Sequence, residues 1–213
     1  MFFIMNKLTN IIDESLKDKL NKNPPIFNSI FENRNKLITS KLNTEYNGRI
    51  FKHSAILLIL KKINGSYHII LTVRSDQMPS HAGQISFPGG KVDLKDKTLT
   101  DTAIREANEE IGIQNHELEI MGYLDICMTG TDYLIAPVIA LSSNKFEPVI
   151  DKREVNSLFT IPLSFINNVN NLELHTKIFN GVKRNFFVYN YMNYFIWGAT
   201  ARILKDFNEK VLT

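Results

Sequence analysis

Phe87-Pro88-Gly89-Gly90-Lys91-Val92-Asp93-Leu94-Lys95-Asp96-Lys97-Thr98 runs directly into Leu99-Thr100-Asp101-Thr102-Ala103-Ile104-Arg105-Glu106-Ala107-Asn108-Glu109-Glu110-Ile111-Gly112-Ile113. The second half predicts a helix from about Leu99 to Ile111. Thr98 suits the N-cap, Asp101 three residues later resembles a capping box, and Gly112 closes the helix. At about 100° per residue, Leu99, Ala103, Ala107 and Ile111 fall on one apolar side. Glu106, Glu109 and Glu110 share another face. The helix is therefore expected to bury one side while presenting three carboxylates to a common point.

Like charges three and four residues apart repel, so such a face calls for a cation or several basic groups. Hard oxygen donors in that number favour Mg²⁺ or Mn²⁺, and Mg²⁺ keeps waters and shares its shell with phosphate. Taken alone, the helix reads equally as a solvated acidic face with Arg105 and Glu109 as a surface pair. Phe87-Pro88-Gly89-Gly90 tips the reading towards chemistry, because adjacent glycines let the backbone approach an ion or a phosphate closely.

Residues up to about Asn47 read as a helical extension. Ile12, Leu16 and Leu20 stand at fourfold spacing, Pro24-Pro25 is a break, and a second helical stretch is expected from about Ile30 to Leu42. This division, 1–47 and 48–213, makes the first part a packing arm or an oligomer contact, such as that of a homodimer. Strands are expected at Ser54 to Leu60 and Tyr67 to Arg74 around an Asn64-Gly65 turn, with a short one from Gln84 to Phe87 inside a long loop. Others follow at Leu118 to Asp125, Tyr133 to Leu141, and Leu172 to Phe179 paired through Asn180-Gly181 with Asn185 to Tyr191. Gly198 to Val211 reads as a helix with Ile203, Leu204 and Phe207 on one face. The fold class is α/β or α+β with one sheet system.

Composition sets the outer limits. The 213 residues are 44% hydrophobic and 22% charged, enough for a buried core. A net charge of +3 with scattered Lys and Arg speaks against nucleic-acid binding and is compatible with a small anionic substrate. No uncharged apolar run reaches the ~18 residues of a spanning helix, so no membrane partner is expected. Met1-Phe2-Phe3-Ile4-Met5 lacks the basic leader and cleavage site of a signal peptide. The single cysteine, Cys127, excludes an intramolecular disulfide and reads as core filler, which suits a reducing cytoplasm.

The glycine loop and glutamate helix together resemble the Nudix box: Gly, five residues, Glu, seven residues, then Arg-Glu-U-x-Glu-Glu-x-Gly-U with U aliphatic. Arg105 to Ile113 matches the second half, with Ala107 as the small apolar position. The first half has one extra residue between Gly90 and Arg105, and Asp96 stands near the place of the first Glu. Leu71-Thr72-Val73-Arg74-Ser75 and His81-Ala82-Gly83-Gln84-Ile85-Ser86 lead into Phe87, which is similar to the coenzyme A pyrophosphatase branch. That branch shares the Phe-Pro-Gly-Gly and tends to carry the extra residue; Pro79 occupies the position of its second Arg. Ala136-Pro137-Val138-Ile139, Ile161-Pro162-Leu163 and Ile196-Trp197-Gly198-Ala199-Thr200-Ala201 extend the resemblance over roughly 53–206.

The resemblance implies an α/β/α sandwich with a mixed sheet, and attack of water on a pyrophosphate linkage of coenzyme A or a derivative, releasing 3′,5′-ADP and 4′-phosphopantetheine. It maps Glu106, Glu109 and Glu110 onto the metal ligands and makes Arg105 a residue that orients them. Arg74, His81, Gly89 and Gly90 are candidate substrate contacts. The general base is left open among Glu109, Glu147 and Glu154. Other nucleoside diphosphate-linked substrates, such as a dinucleoside polyphosphate, NADH or ADP-ribose, and a non-catalytic nucleotide-binding module are the alternatives. Trp197, Tyr189, Tyr191 and Tyr194 read as packing, and His53, His68, His116 and His175 have no ligand-like spacing.

Overall fold

Ala55 to Leu60 is an unbroken apolar run, which a strand can accommodate only if both of its faces are covered. The computed structural model describes residues 15–31, 37–179 and 181–212, and there this run is the middle of β3 (Arg49–Ile63). Ala55, Leu57 and Ile59 point to one core, and Ile56, Leu58 and Leu60 to another, at the strand's period of two. β4 (Ser66–Arg74) repeats the division, with Ile70 on the first side and Ile69 and Leu71 on the second.

β3 anchors a ten-stranded mixed sheet. It pairs antiparallel with β2 (Asn43–Tyr46), β4 and β6 (Gly89–Lys91), and parallel with β9 (Tyr133–Ser142). β1 (Leu37–Thr39) extends β2, β5 (Ile85–Ser86) lies on β4, and β7 (Leu118–Tyr123) and β8 (Cys127–Met128) lie on β9. β10 (Val155–Pro162) closes the far side against β4.

Helices cover both faces. α1 (Leu99–Ile111) buries Ala103, Ala107 and Ile111 against the Ala55 side. After α2 (Leu163–Asn167), α3 (Gly198–Phe207) buries Ala201, Ile203, Leu204 and Phe207 against the opposite side. A layered α/β/α arrangement results, as expected. Most anticipated elements occur within a few residues of their expected ends, and Asn64 and Gly65 take the positive φ values of 49° and 85° that a tight hairpin needs.

Three features differ. Of the helix expected from Ile30 to Leu42, residues 32–36 lie outside the described residues, and the described parts are the end of a 3₁₀ turn at Phe27–Ile30 and the β1–β2 hairpin. Ser40 Oγ accepts the amides of Leu42 and Asn43 at 3.3 and 3.1 Å, turning the chain where a helix would continue. Asn47 and Gly48, at φ 52° and 74°, turn it again into β3, so the main sheet runs across the boundary expected after residue 47. Of the first expected helix, residues 15–19 are helical, with Leu16 buried in the core next to Leu20; Ile12 lies outside the described residues.

Second, the strands form two sheets instead of one system. Among the described residues, β11 (Leu172–Phe179), β12 (Val182–Tyr191) and β13 (Tyr194–Trp197) form a separate three-stranded sheet that docks through Tyr189 and Ile196 on the α3 side. Of the turn joining the first two, Asn180 lies outside the described residues, and Gly181 has φ 76°. Third, the terminal helix changes winding: α3 ends at Phe207, and Asn208–Leu212 is a π-turn. Among the described residues no helix is long and apolar enough to cross a membrane.

Candidate active site

The local signals around α1 all act. Thr98 Oγ1 accepts the Asp101 amide at 3.1 Å, and the Asp101 carboxylate accepts the Thr98 amide at 2.9 Å, satisfying two otherwise orphaned donors. Gly112 ends the helix at φ 76°. This fixes the rotation of α1 about its axis, so that Glu106 and Glu110 turn towards β6.

The two glycines of β6 fit that contact for separate reasons. Gly89 has φ 148°, and a Cβ there would lie 2.5 Å from the Ala55 carbonyl oxygen and 2.6 Å from Ile56 Cα. A Cβ on Gly90 would lie 2.1 Å from Glu106 Oε2. The bare backbone of the loop thus sits directly against a carboxylate of the helix.

Arg105 organises the acidic face. Its Nε and Nη2 donate to the two oxygens of Asp96, both at 2.9 Å, and Nη2 also donates to the Lys91 carbonyl at 3.1 Å. Nη1 donates to Glu106 Oε1 at 2.7 Å and lies 3.5 Å from Glu109 Oε2. Bidentate guanidinium–carboxylate pairing is directional, so Asp96 fixes the plane in which Arg105 holds Glu106. Arg105 keeps the Asp96 carboxyl well below the usual carboxylate range, helped by Thr102 Oγ1 and the Asp93 amide. Asp96 in turn raises the pKa of Arg105.

Glu110 has a different environment. Its side chain is 3% exposed, and Arg74 Nη1 lies 3.8 Å from Oε1. A unit-charge pair at that separation is worth about 4 kcal/mol at an effective dielectric constant of 20. Burial nevertheless wins: the carboxyl is pushed up to about 8, with Glu106 and Glu154 adding to the rise while Arg74 and the Gly89 backbone oppose it. Burial likewise raises Glu106, opposed by Arg105. Glu110 Oε2 and Arg74 Nε are both buried without a hydrogen-bond partner. The two side chains that approach at 3.8 Å thus each keep a buried polar atom unsatisfied, which is costly unless ligands complete them.

The expected meeting of three carboxylates at one point is not seen: among the described residues no three His, Cys, Asp or Glu side chains form a closed metal cluster. Arg105 is the reason, since it draws Glu106 and Glu109 to its own guanidinium, leaving Glu109 half exposed. An orphaned Glu110 oxygen, Glu106 against bare Gly90 and hard oxygen donors fit a divalent cation whose shell is completed by water and substrate.

Of the other candidates, Arg74 joins the site. His81 is exposed, and its Nδ1 hydrogen-bonds Gln84 Oε1 at 2.8 Å within its own loop. Glu154 is close enough to raise both Glu106 and Glu110, and its carbonyl accepts the Ser75 amide at 2.8 Å. Glu147 is 85% exposed and lies 3.9 Å from Lys61. The aromatic residues pack, Tyr194 on Phe159 at 3.6 Å and Trp197 edge-on to Phe186. Cys127 is buried, and burial raises its thiol to about 11. Sequence spacing does not reveal the anchoring role of Asp96, whose one signal is an acid in the loop nine residues before Arg105.

Residues 52–164, more than half of the chain, match the family model of the NUDIX domain. An uncharacterized Nudix hydrolase NudL of Photorhabdus laumondii is 33% identical over 161 residues, 75% of this chain and 85% of the relative. The NudL of Yersinia pestis is 34% identical over 146 residues, 67% of this chain and 72% of the relative. A crystal structure of a C. elegans Ap4A hydrolase binary complex superposes with a TM-score of 0.44 at 23% identity, covering 53% of this chain and 80% of that one. The box built between β6 and α1 and these relatives lead to one assignment: the chain belongs to the Nudix hydrolase family, hydrolases of phosphoric anhydrides in nucleoside diphosphate-linked substrates that use divalent metal ions.

Proposed function

We propose that this protein hydrolyses the pyrophosphate linkage of coenzyme A, or of an acylated or oxidised derivative, to 3′,5′-ADP and 4′-phosphopantetheine, with Mg²⁺ or Mn²⁺, in the cytoplasm. The observation carrying the reading is the pair of buried, unsatisfied atoms Glu110 Oε2 and Arg74 Nε, one suited to a cation and the other to a phosphate oxygen. Arg74 comes from the Leu71 to Ser75 segment that resembles the coenzyme A branch, so the same residue serves the chemistry and the substrate assignment.

Glu106, Glu109 and Glu110 would hold the cation, which when bound neutralises phosphoryl charge and lowers the pKa of water. Arg105, fixed by Asp96, positions Glu106 and restrains Glu109. Arg74 neutralises a substrate phosphate while offsetting the burial of Glu110. Gly89 and Gly90 stay the candidate backbone contacts for the anhydride, their lack of side chains letting β6 lie against β3 on one side and the Glu106 carboxylate on the other. Glu154, beside both glutamates, is favoured over Glu147 as the proton acceptor, with Glu109 retained as the alternative within the box.

Pro79 in place of the branch's second Arg keeps a second substrate reading: dinucleoside polyphosphate, NADH or ADP-ribose cleaved by the same residues. Purified protein with Mg²⁺ or Mn²⁺ is incubated separately with each of these and with coenzyme A, and the products are weighed by mass spectrometry. The expected products from coenzyme A are 3′,5′-ADP and 4′-phosphopantetheine. Turnover of another substrate with coenzyme A left intact would overturn the assignment.

A further inference from the structure

Ile196-Trp197-Gly198-Ala199-Thr200-Ala201 extends the family resemblance beyond the box but has no part in the chemistry at Glu106 and Glu110. It spans the end of β13 and the first turn of α3, where Thr200 Oγ1 donates to the Ile85 carbonyl at 2.8 Å. Ile85 lies on β5, four residues before Gly89, so this bond ties the start of α3 to the chain that leads into the glycine loop. Beside it opens a cavity of about 230 Å³, bounded by α3, β12 and the end of β8.

The lining combines apolar walls with hydrogen-bond donors. Phe186, Phe187, Ala199 and Met128 supply rings, a methyl group and a thioether. Asn185, on the same wall, accepts Thr176 Oγ1 through its Oδ1 at 2.7 Å, which keeps its Nδ2 as a donor. Arg202 reaches both oxygens of Asp206 through Nε alone, at 2.9 Å, so the guanidinium keeps its terminal N–H groups to offer. Apolar walls with a few placed donors fit a flexible chain of methylenes and amide carbonyls. A phosphate at Arg202 would meet the Asp206 carboxylate.

We propose that this cavity receives the thiol-bearing end of the substrate's pantetheine arm, an inference that rests on the coenzyme A reading above. Reach selects this part of the substrate. β6, β3, β9 and β8 are consecutive in the sheet, with Lys91, Ser54 and Ile135 level on the first three and β8 paired to β9 at Ile135. Ile135 packs on the α3 side, the face on which the cavity opens. Three strand spacings of about 4.8 Å put the cavity roughly 14 Å from β6. From phosphate to sulfur the arm is about twelve bonds, the length of about four residues, and at ~3.5 Å per residue it spans roughly 14 Å when extended. The adenine and the 3′-phosphate, each one ribose away from the anhydride, do not reach that far. Volume agrees: at about 30 Å³ per group the size of a water, the cavity holds about seven such groups, enough for the arm's last amide with its methylenes and sulfur. The sulfur then lies against the phenylalanine rings, a favourable contact.

The test probes the two halves of the substrate separately on the full-length protein, by calorimetry and by inhibition: 3′,5′-ADP reports the nucleotide half and 4′-phosphopantetheine the arm. Ala199→Phe fills the cavity from the first turn of α3. Met128→Trp fills it from β8, at a side chain 54% exposed, should the first variant fold poorly by circular dichroism. Each should weaken 4′-phosphopantetheine binding and raise the KM for coenzyme A by about tenfold or more, with the affinity for 3′,5′-ADP unchanged. A folded variant with an unchanged KM for coenzyme A would overturn the placement of the arm while leaving the coenzyme A reading intact. Weakened 3′,5′-ADP binding with 4′-phosphopantetheine unaffected would put the nucleotide in the cavity and overturn it equally. Wild type that leaves coenzyme A uncleaved would overturn the substrate reading, and the arm's site with it.

Discussion

Replacing Gly90 with alanine separates positioning from folding. The added Cβ would sit 2.1 Å from Glu106 Oε2, 2.4 Å from its Cδ and 2.8 Å from Oε1. Ordinary contact is nearer 3.5 Å, so the carboxylate must retreat by more than about 1 Å. It can do so only by loosening the 2.7 Å hydrogen bond from Arg105 Nη1, a charge-assisted bond worth roughly 1.5–3 kcal/mol. Gly90 lies outside the left-handed region, and alanine recovers about 0.4–1 kcal/mol by restricting the unfolded chain. The net destabilisation should be about 1–2 kcal/mol, a few degrees in Tm for a chain of this length. Displacing a reacting-site group by about 1 Å costs roughly a hundredfold in rate. Thermal melts and steady-state hydrolysis with Mg²⁺ measure both quantities. Gly89→Ala is the contrast, because its Cβ meets the β3 backbone and should lower stability far more. A folded Gly90→Ala enzyme with wild-type kcat would refute the placement of Glu106 in the reaction.

Glu110 has a raised pKa, so between the ordinary carboxylate value and about 8 the folded state binds a proton that the unfolded state has lost. Metal-free protein should therefore lose about 1.4 kcal/mol of stability per pH unit rising through that interval. Melts from pH 5 to 8 should show the decline, and Glu110→Gln should flatten it while lowering the rate about a thousandfold or more. Asp96→Asn removes the bidentate anchor of Arg105; kcat should fall roughly 10- to 100-fold and stability by about 2–3 kcal/mol, read by kinetics and melting. An unchanged kcat would show that Arg105 needs no anchor. Cys127→Ser, on a buried thiol outside the site, should lower Tm by a few degrees with turnover intact.

The parts legible in the sequence were those dictated by near neighbours. Thr98, Asp101 and Gly112 bound α1 through contacts within one turn, and Asn64-Gly65 needed only its own backbone preference. Glu106 and Glu110 were identifiable because helical spacing and the glycine loop are both local patterns. What distant pairing decides was not. Ile30, Leu37, Ile38 and Leu42 suit a helix as well as strands, and the hairpin of β1 and β2 is settled by attachment to β3. The strand Val155–Pro162 gains its identity from β4. Helical geometry places the three carboxylates on one face but cannot reveal how Arg105, itself held by Asp96, engages Glu106 and Glu109. The approach of Arg74 to Glu110 joins residues 36 positions apart.

The coenzyme A assignment is tested most directly by competition. Coenzyme A, NADH, ADP-ribose and a diadenosine polyphosphate are mixed at equal concentration with catalytic enzyme and Mg²⁺, and all products are quantified together by mass spectrometry, so that initial product ratios report relative kcat/KM. 3′,5′-ADP and 4′-phosphopantetheine are expected to appear first and in equal amounts. Faster consumption of any of the other three would refute coenzyme A as the preferred substrate.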